Sequence, residues 1–178
     1  MYRTVLIYIF FIVFFLSPLR ADGLFDFDYV SIGISSQKID NKSFNKGSAL
    51  VINTGKKTLY KDVGVELEGT LQLKKPKAVI NNKTSDLKFW SMGMYGTYLW
   101  KFDSITVKPK LGLVYENIKS SFNTSNNNPT DSVDKNKIIL SGGIGLSYKL
   151  TDNYQLFTNY TKFDDDIEHL TFGAEFKF

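Results

Sequence analysis

Four charged side chains stand at positions where charge is expensive to hold. Glu66 and Glu68 alternate with Val65 and Leu67, and Lys108 and Lys110 are flanked by Val107 and Leu111. Alternation at period two places each charged pair on one face of an extended strand and the apolar residues on the other. If the two charged faces enclose a common interior, desolvation obliges carboxylate and ammonium to find each other. The chemistry expected of Glu66, Glu68, Lys108 and Lys110 is therefore an ion-pair network that fills an interior, not catalysis.

The other chemically able groups point to less. His169 is the single histidine, close to Asp164, Asp165, Asp166 and Glu168. A histidine base needs a nucleophile and an orienting acid; no G-x-S-x-G occurs, and His169 reads as a strand-end residue at a loop rim. Three adjacent carboxylates cannot all face one calcium ion, so 164–166 reads as a solvated acidic loop. Lys38, Lys42, Lys46, Lys74, Lys75, Lys77 and Lys83 put positive charge on two loops, where they suit either solubility or the phosphates of lipopolysaccharide. There is no cysteine, hence no disulfide framework or thiolate metal site. No phosphate-cradling glycine loop, zinc spacing or nucleic-acid motif is present. The sequence calls for no metal, no cofactor and no catalytic residue.

The elements that must position the four charges are strands. The chain has 178 residues, 22% of them charged, 43% hydrophobic and 15% aromatic, with a mean hydropathy of −0.16. No helical period runs after residue 22. The final ten residues alternate strictly: Leu170, Phe172, Ala174, Phe176 and Phe178 on one face, His169, Thr171, Gly173, Glu175 and Lys177 on the other. The same period predicts strands over 28–37, 47–54, 58–73, 87–100, 105–119, 137–150 and 154–163. In the second of these Leu50 and Ile52 are expected to face outward. Thr54-Gly55-Lys56-Lys57 reads as a tight turn, with Gly55 free to take positive φ. Pro109 cannot donate to a ladder, so a bulge or weak pairing is expected there.

Eight strands result, and their connections alternate. Short turns near 55, 102 and 152 fall at one end; longer loops near 42, 79, 128 and 165 fall at the other. Outer-membrane barrels sort their connections this way, with short turns periplasmic and long loops external. Parity alone leaves open a soluble lipocalin-like barrel that carries an apolar ligand. Three features favour the membrane. The face opposite the greasy one is rich in glycine (Gly33, Gly64, Gly112, Gly143, Gly145, Gly173), as a narrow packed interior requires. Aromatics gather in two girdles: Trp100, Phe102, Tyr148, Tyr154, Phe176 and Phe178 at the short-turn end, and Trp90, Tyr115, Tyr160 and Phe163 towards the loops. The N-terminus carries Arg3, an apolar run over 5–16, Ser17-Pro18 and a small residue, Ala21. That pattern predicts a cleaved secretory signal peptide over residues 1–21, in preference to an uncleaved anchor, and a barrel domain over 22–178. Removing Arg3 and Arg20 lowers the formal charge from +4 by two, so the basic balance does not argue for nucleic acid.

The run Gly142-Gly143-Ile144-Gly145-Leu146-Ser147-Tyr148-Lys149-Leu150-Thr151-Asp152-Asn153 and the closing strand ending in Phe178 resemble the small outer-membrane β-barrel family, the OmpA-barrel, OmpX and opacity-protein-like porin group. The resemblance implies an all-β fold: an eight-stranded, antiparallel, up-and-down transmembrane barrel in the outer membrane of a Gram-negative bacterium. It implies that Phe176 and Phe178 form the signal read by the barrel-assembly machinery. Unlike full-length OmpA, the sequence is expected to carry no periplasmic peptidoglycan-binding domain after the barrel. An interior of eight strands is just filled by side chains. The function expected is structural or surface-interacting: envelope integrity, or loops presented to lipopolysaccharide or another surface ligand. A narrow porin-like channel is the alternative. A lipid A-modifying enzyme and a soluble carrier rank below it.

Overall fold

A computed structural model describes residues 27–39, 45–58, 60–80, 83–123, 132–163 and 167–178; the expected signal peptide, the acidic run 164–166 and most of the loop residues lie outside these. Ten strand segments form: β1 (Tyr29–Ile39), β2 (Gly47–Lys57), β3 (Val63–Lys74), β4 (Lys77–Ile80), β5 (Lys83–Tyr98), β6 (Trp100–Phe102), β7 (Ile105–Asn123), β8 (Ser132–Lys149), β9 (Tyr154–Lys162) and β10 (Ile167–Lys177). β4 prolongs the line of β3 past Lys75-Pro76, and β6 prolongs β5 past Leu99, so the ten segments make eight staves. Every pairing is antiparallel, and the circuit runs β1-β2-β3-β5-β7-β8-β9-β10 and back to β1. The sheet is thus closed, as expected from the sequence, and closure removes the edges that an open sheet would expose.

The faces sort by chemistry in the sense opposite to a water-soluble protein. Ser31, Ser35, Asn53, Glu66, Thr70, Glu116, Ser141 and Thr171 are buried inside. Ile34, Leu111, Leu140 and Phe172 stand 61–67% exposed outside. A wall of aliphatic and aromatic side chains around a polar interior needs lipid as its solvent. This overturns the soluble-carrier reading, which required the greasy faces inward. Leu50 and Ile52 do lie outward, with Ala49 and Val51 buried. Aromatic pairs mark the edges of the band: Tyr154–Phe176, Phe176–Phe178 and Tyr98–Trp100 at one end, Trp90–Tyr115 at the other. From Trp90 to Trp100 a strand at ~3.3 Å per residue and ~40° tilt covers about 25 Å, the height of an outer-membrane apolar band.

Several local expectations fail, among them the longer loop near 79, where Lys77–Ile80 is strand β4 paired with β5 from Lys83. β2 runs on through Lys57, past the turn expected at 54–57, and β3 begins at Val63 and not at Thr58; the Thr58 amide donates to the Val63 carbonyl at 2.9 Å. Gly55 is an inward strand residue without positive φ. Its missing side chain makes room for Tyr29, whose hydroxyl would lie 2.4 Å from a Cβ at that position. Asp103, in the turn before β7, holds the one positive φ among the described residues (46°), a conformation that aspartate tolerates. Phe163 is not a girdle residue: it is fully buried in the lumen. The expectation at Pro109 is met on one side of its strand. β7 pairs with β5 as far as Lys110 and resumes with β6 at Val107, so Lys108 and Pro109 face a gap at Tyr98-Leu99. The Leu99 amide donates instead to the Asp62 carbonyl at 2.8 Å. Towards β8, Pro109 stays in regular register opposite Ile144.

Candidate functional site

The interior holds two differently built layers. The layer nearer the short turns is ionic. Inward parity on β3 delivers Glu66 and Glu68, and inward parity on β7 delivers Lys108 and Lys110, all four buried. Lys108 Nζ donates to Glu66 Oε2. Lys110 Nζ lies 2.5 Å from Glu68 Oε2 and 3.7 Å from Glu66 Oε1, so it bridges both carboxylates. The four residues singled out from the sequence are therefore neighbours in one cluster.

Sequence reading missed the residues that complete the cluster. Tyr29, on β1, donates its hydroxyl to Glu66 Oε2 at 2.5 Å, and Lys108 sits 5.0 Å from its ring centroid. Lys110 lies 4.3 Å from the ring centroid of Tyr95, whose hydroxyl is 3.5 Å from Glu68 Oε1 and 3.1 Å from Ser141 Oγ. Ser141 in turn donates to the Lys162 carbonyl at 2.8 Å. With its amide nitrogen turned to the carboxylate, Asn53 donates to Glu68 Oε2 at 3.1 Å and accepts from Ser31 Oγ at 3.2 Å. Glu175, from the closing strand, adds a third carboxylate: Gln155 donates to one oxygen, and Lys108 lies 4.0 Å from the other. Glu175 shares the inward parity of its strand, a signal that was present in the sequence. Tyr29 and Tyr95 carry the same signal, sharing the inward parity of Ser31 and Ser35 and of Ser91 and Thr97; what parity withheld is that a tyrosine hydroxyl would serve the carboxylates.

The layer nearer the long loops is mainly apolar, with one buried carboxylate among the described residues, Glu116, 3.7 Å from Lys137. Phe89, Tyr95, Val114, Phe163 and Ile167 form one buried cluster, with Leu87, Ile118 and Ile139 packed against it. His169 belongs here, and the expectation of a loop-rim histidine is corrected. It is 1% exposed, with Phe163 and Phe89 at ring-centroid distances of 4.3 and 5.5 Å. The Gln37 amide nitrogen lies 3.0 Å from His169 Nε2. Since Gln37 Oε1 accepts from Gln72 at 3.4 Å, that nitrogen is the donor and His169 Nε2 the acceptor, which makes the imidazole neutral with its proton on Nδ1. The Phe89 amide closes the chain by donating to Gln72 Oε1 at 3.2 Å. No hydroxyl or carboxylate is bonded to His169 among the described residues, so no relay for general-base chemistry is assembled around it.

At the rims, charges pair in water. Lys38 meets Glu168 at 3.3 Å and Lys75 approaches Asp86 at 4.0 Å towards the loops; Lys101 meets Asp62 at 3.0 Å and Lys149 meets Asp152 at 2.6 Å at the turns. Phe176 and Phe178 meet edge to face, with ring centroids 5.2 Å apart, at the short-turn end of the wall, Phe178 well exposed.

Comparison with known proteins agrees with this architecture. The model of the family described as "Outer membrane protein beta-barrel domain" matches residues 6–178. Among solved structures, the attachment invasion locus protein Ail of Yersinia pestis, crystallised with the heparin analogue sucrose octasulfate, is 19% identical, with a TM-score of 0.60 over 84% of this chain and 97% of that one. Neisserial surface protein A is 22% identical, with a TM-score of 0.55 over 88% and 100%. OprG from Pseudomonas aeruginosa is 12% identical, with a TM-score of 0.61 over 84% and 94%. At these identities the likeness is one of fold. No curated protein sequence matches the chain.

Proposed function

The chain belongs to the outer-membrane β-barrel family, and from that premise we propose that it is a sealed membrane scaffold whose work is done at the external face, by presenting sheet and loops for surface interaction. The observation that carries this reading is the unequal height of the wall. β8 pairs with β9 only from Gly142 onward, while its pairing with β7 continues to Ser132. Among the described residues, the backbone of 132–141 is thus laddered to β7 and has no strand partner on its other side. Together β4, β5, β7 and β8 rise as a sheet beyond the rest of the cylinder. A strand edge raised above the membrane is a template for an extended segment of another chain.

The interior supports the sealed half of the proposal. An ionic layer and an apolar layer in series leave an ion without a hydrated path, and eight strands enclose little more than their own side chains. Phe176 and Phe178, on the outer face of the closing strand, serve in this reading as the recognition element for barrel assembly. Lipid and lipopolysaccharide surround the wall.

Absence of cysteine makes the test clean. Asn136→Cys, on the raised part of β8, should react with a membrane-impermeant maleimide on intact cells, while Asp152→Cys in a short turn should react only after permeabilisation. The reverse pattern would refute surface presentation. Wild-type chain in planar bilayers should show no sustained conductance; steady single-channel currents would establish the channel reading in its place.

A further inference from the structure

The short-turn mouth of the lumen is a cationic cup. A cavity of about 60 Å³ opens there, bounded by Lys57, Lys101, Lys108 and Lys177, with Glu175 at its inner wall. About four or five waters, or one tetrahedral oxyanion, fill such a space. Two of the four lysines are already committed. Lys108 belongs to the ionic layer through Glu66, and Lys101 is held by Asp62 at 3.0 Å. The ammonium groups of Lys57 and Lys177 have no carboxylate oxygen within 4.0 Å among the described residues; Asp28, the carboxylate next to Lys57, accepts from its backbone amide at 2.5 Å. Lys177 is partly buried, attracted by Glu175 and repelled by the like charges of Lys57, Lys149 and Lys101. Glu175, bonded by Gln155 and 4.0 Å from Lys108, is the single carboxylate among the described lining residues and offsets one of the four ammonium charges. The hydroxyls of Thr106 and Ser147 line the same space, and hydroxyls donate to oxyanions as readily as to water.

We propose that this cup binds one phosphate-class oxyanion, with Lys57 and Lys177 supplying the charge. An anion there turns the mutual repulsion of the lysines into attraction, in a recess where the effective dielectric is lower than in bulk water. Such a group reaches a periplasmic mouth from two sources: free phosphate in solution, or the headgroup of a phospholipid in the adjoining leaflet.

The experiment is calorimetric titration of the refolded chain in a maltoside detergent at low ionic strength. One arm uses inorganic phosphate and the other dihexanoyl phosphatidic acid. Saturable binding is expected in at least one arm, weakened at least tenfold by Lys57→Gln/Lys177→Gln, kept by Lys57→Arg/Lys177→Arg and unaffected by Lys149→Gln. Binding in both arms assigns the soluble anion; binding of the lipid alone assigns the headgroup. No binding in either arm, or equal binding by the glutamine pair, overturns the proposal. Wild-type chain gives a second readout that no folding defect can blur. The probe that binds should protect Lys57 and Lys177, but not Lys149, from acetylation, and equal acetylation with and without it overturns the proposal as well.

Discussion

Two ways of closing one tube stand side by side in this lumen. Towards the short turns, Glu66, Glu68, Glu175, Lys108 and Lys110 close it with charge; towards the loops, Phe89, Val114, Phe163 and Ile167 close it with carbon around a neutral His169. The ionic layer depends on partners. Each member is tolerable only because a specific neighbour from another strand sits at hydrogen-bonding distance, so the removal of one strands the rest. The apolar layer depends on volume, and a lost side chain leaves a void without an orphaned charge. The ionic layer should therefore be brittle and the apolar one forgiving, although both are buried.

The sharpest way to break that comparison is Lys110→Ala, which leaves Glu68 and Glu66 short of their shared cation. A loss of about 4 kcal/mol in urea unfolding from micelles is expected, and Lys110→Glu/Glu68→Lys should recover a good part of it. If Lys110→Ala were neutral, the ionic layer would be ornamental. Phe163→Ala comes next, at about 3 kcal/mol, and Phe163→Leu should recover most of the loss, a rescue by mere volume that no neutral residue should give at Lys110. A smaller effect tests the joint between strands: Tyr29→Phe removes a hydroxyl from a buried carboxylate and should cost about 2 kcal/mol. Gly55→Ala should cost a similar amount by displacing the same ring, and the two changes together should cost less than their sum, as a double-mutant cycle reads out.

Smallest of all is the exposed pair at the third turn. The Lys149 ammonium, hydrogen-bonded to Asp152, holds that carboxyl below its ordinary pKa. A folded value below the unfolded one adds stability above the unfolded pKa and loses it as pH falls through the folded value. Both side chains are in water, so Asp152→Asn should leave the pH dependence of unfolding unchanged within error.

Period two made the barrel legible, since it assigns every strand residue a side and so brought Glu66, Glu68, Lys108 and Lys110 inward together. It also held the correction at Phe163. In β9 the odd positions, Gln155 to Thr161, face inward, and Phe163 continues that series while Tyr160 opposes it. Grouping both in one girdle followed their aromatic character over their parity. His169 likewise kept the inward parity of its strand; what was hidden was depth, because the hairpin before it is short and the raised sheet opposite covers it with Phe89. The turn at 54–57 was misplaced for a different reason. Gly55-Lys56-Lys57 has local turn chemistry, but the glycine answers to Tyr29, a neighbour across the sheet that no local window contains.

The oblique rim has a consequence for how the molecule meets its surroundings. A cylinder cut square looks alike from every side in the plane of the membrane; this one does not. The β9–β10 hairpin leaves a low sill, and the free flank of β8 looks out across it. Arrival from that quarter meets open backbone, whereas arrival from the far side meets the back of a sheet. The chain therefore has a heading within the bilayer. In a crowded membrane, whatever stands next to the sill governs access to the flank, so under the proposed surface role lateral neighbours would gate recognition without touching the edge itself.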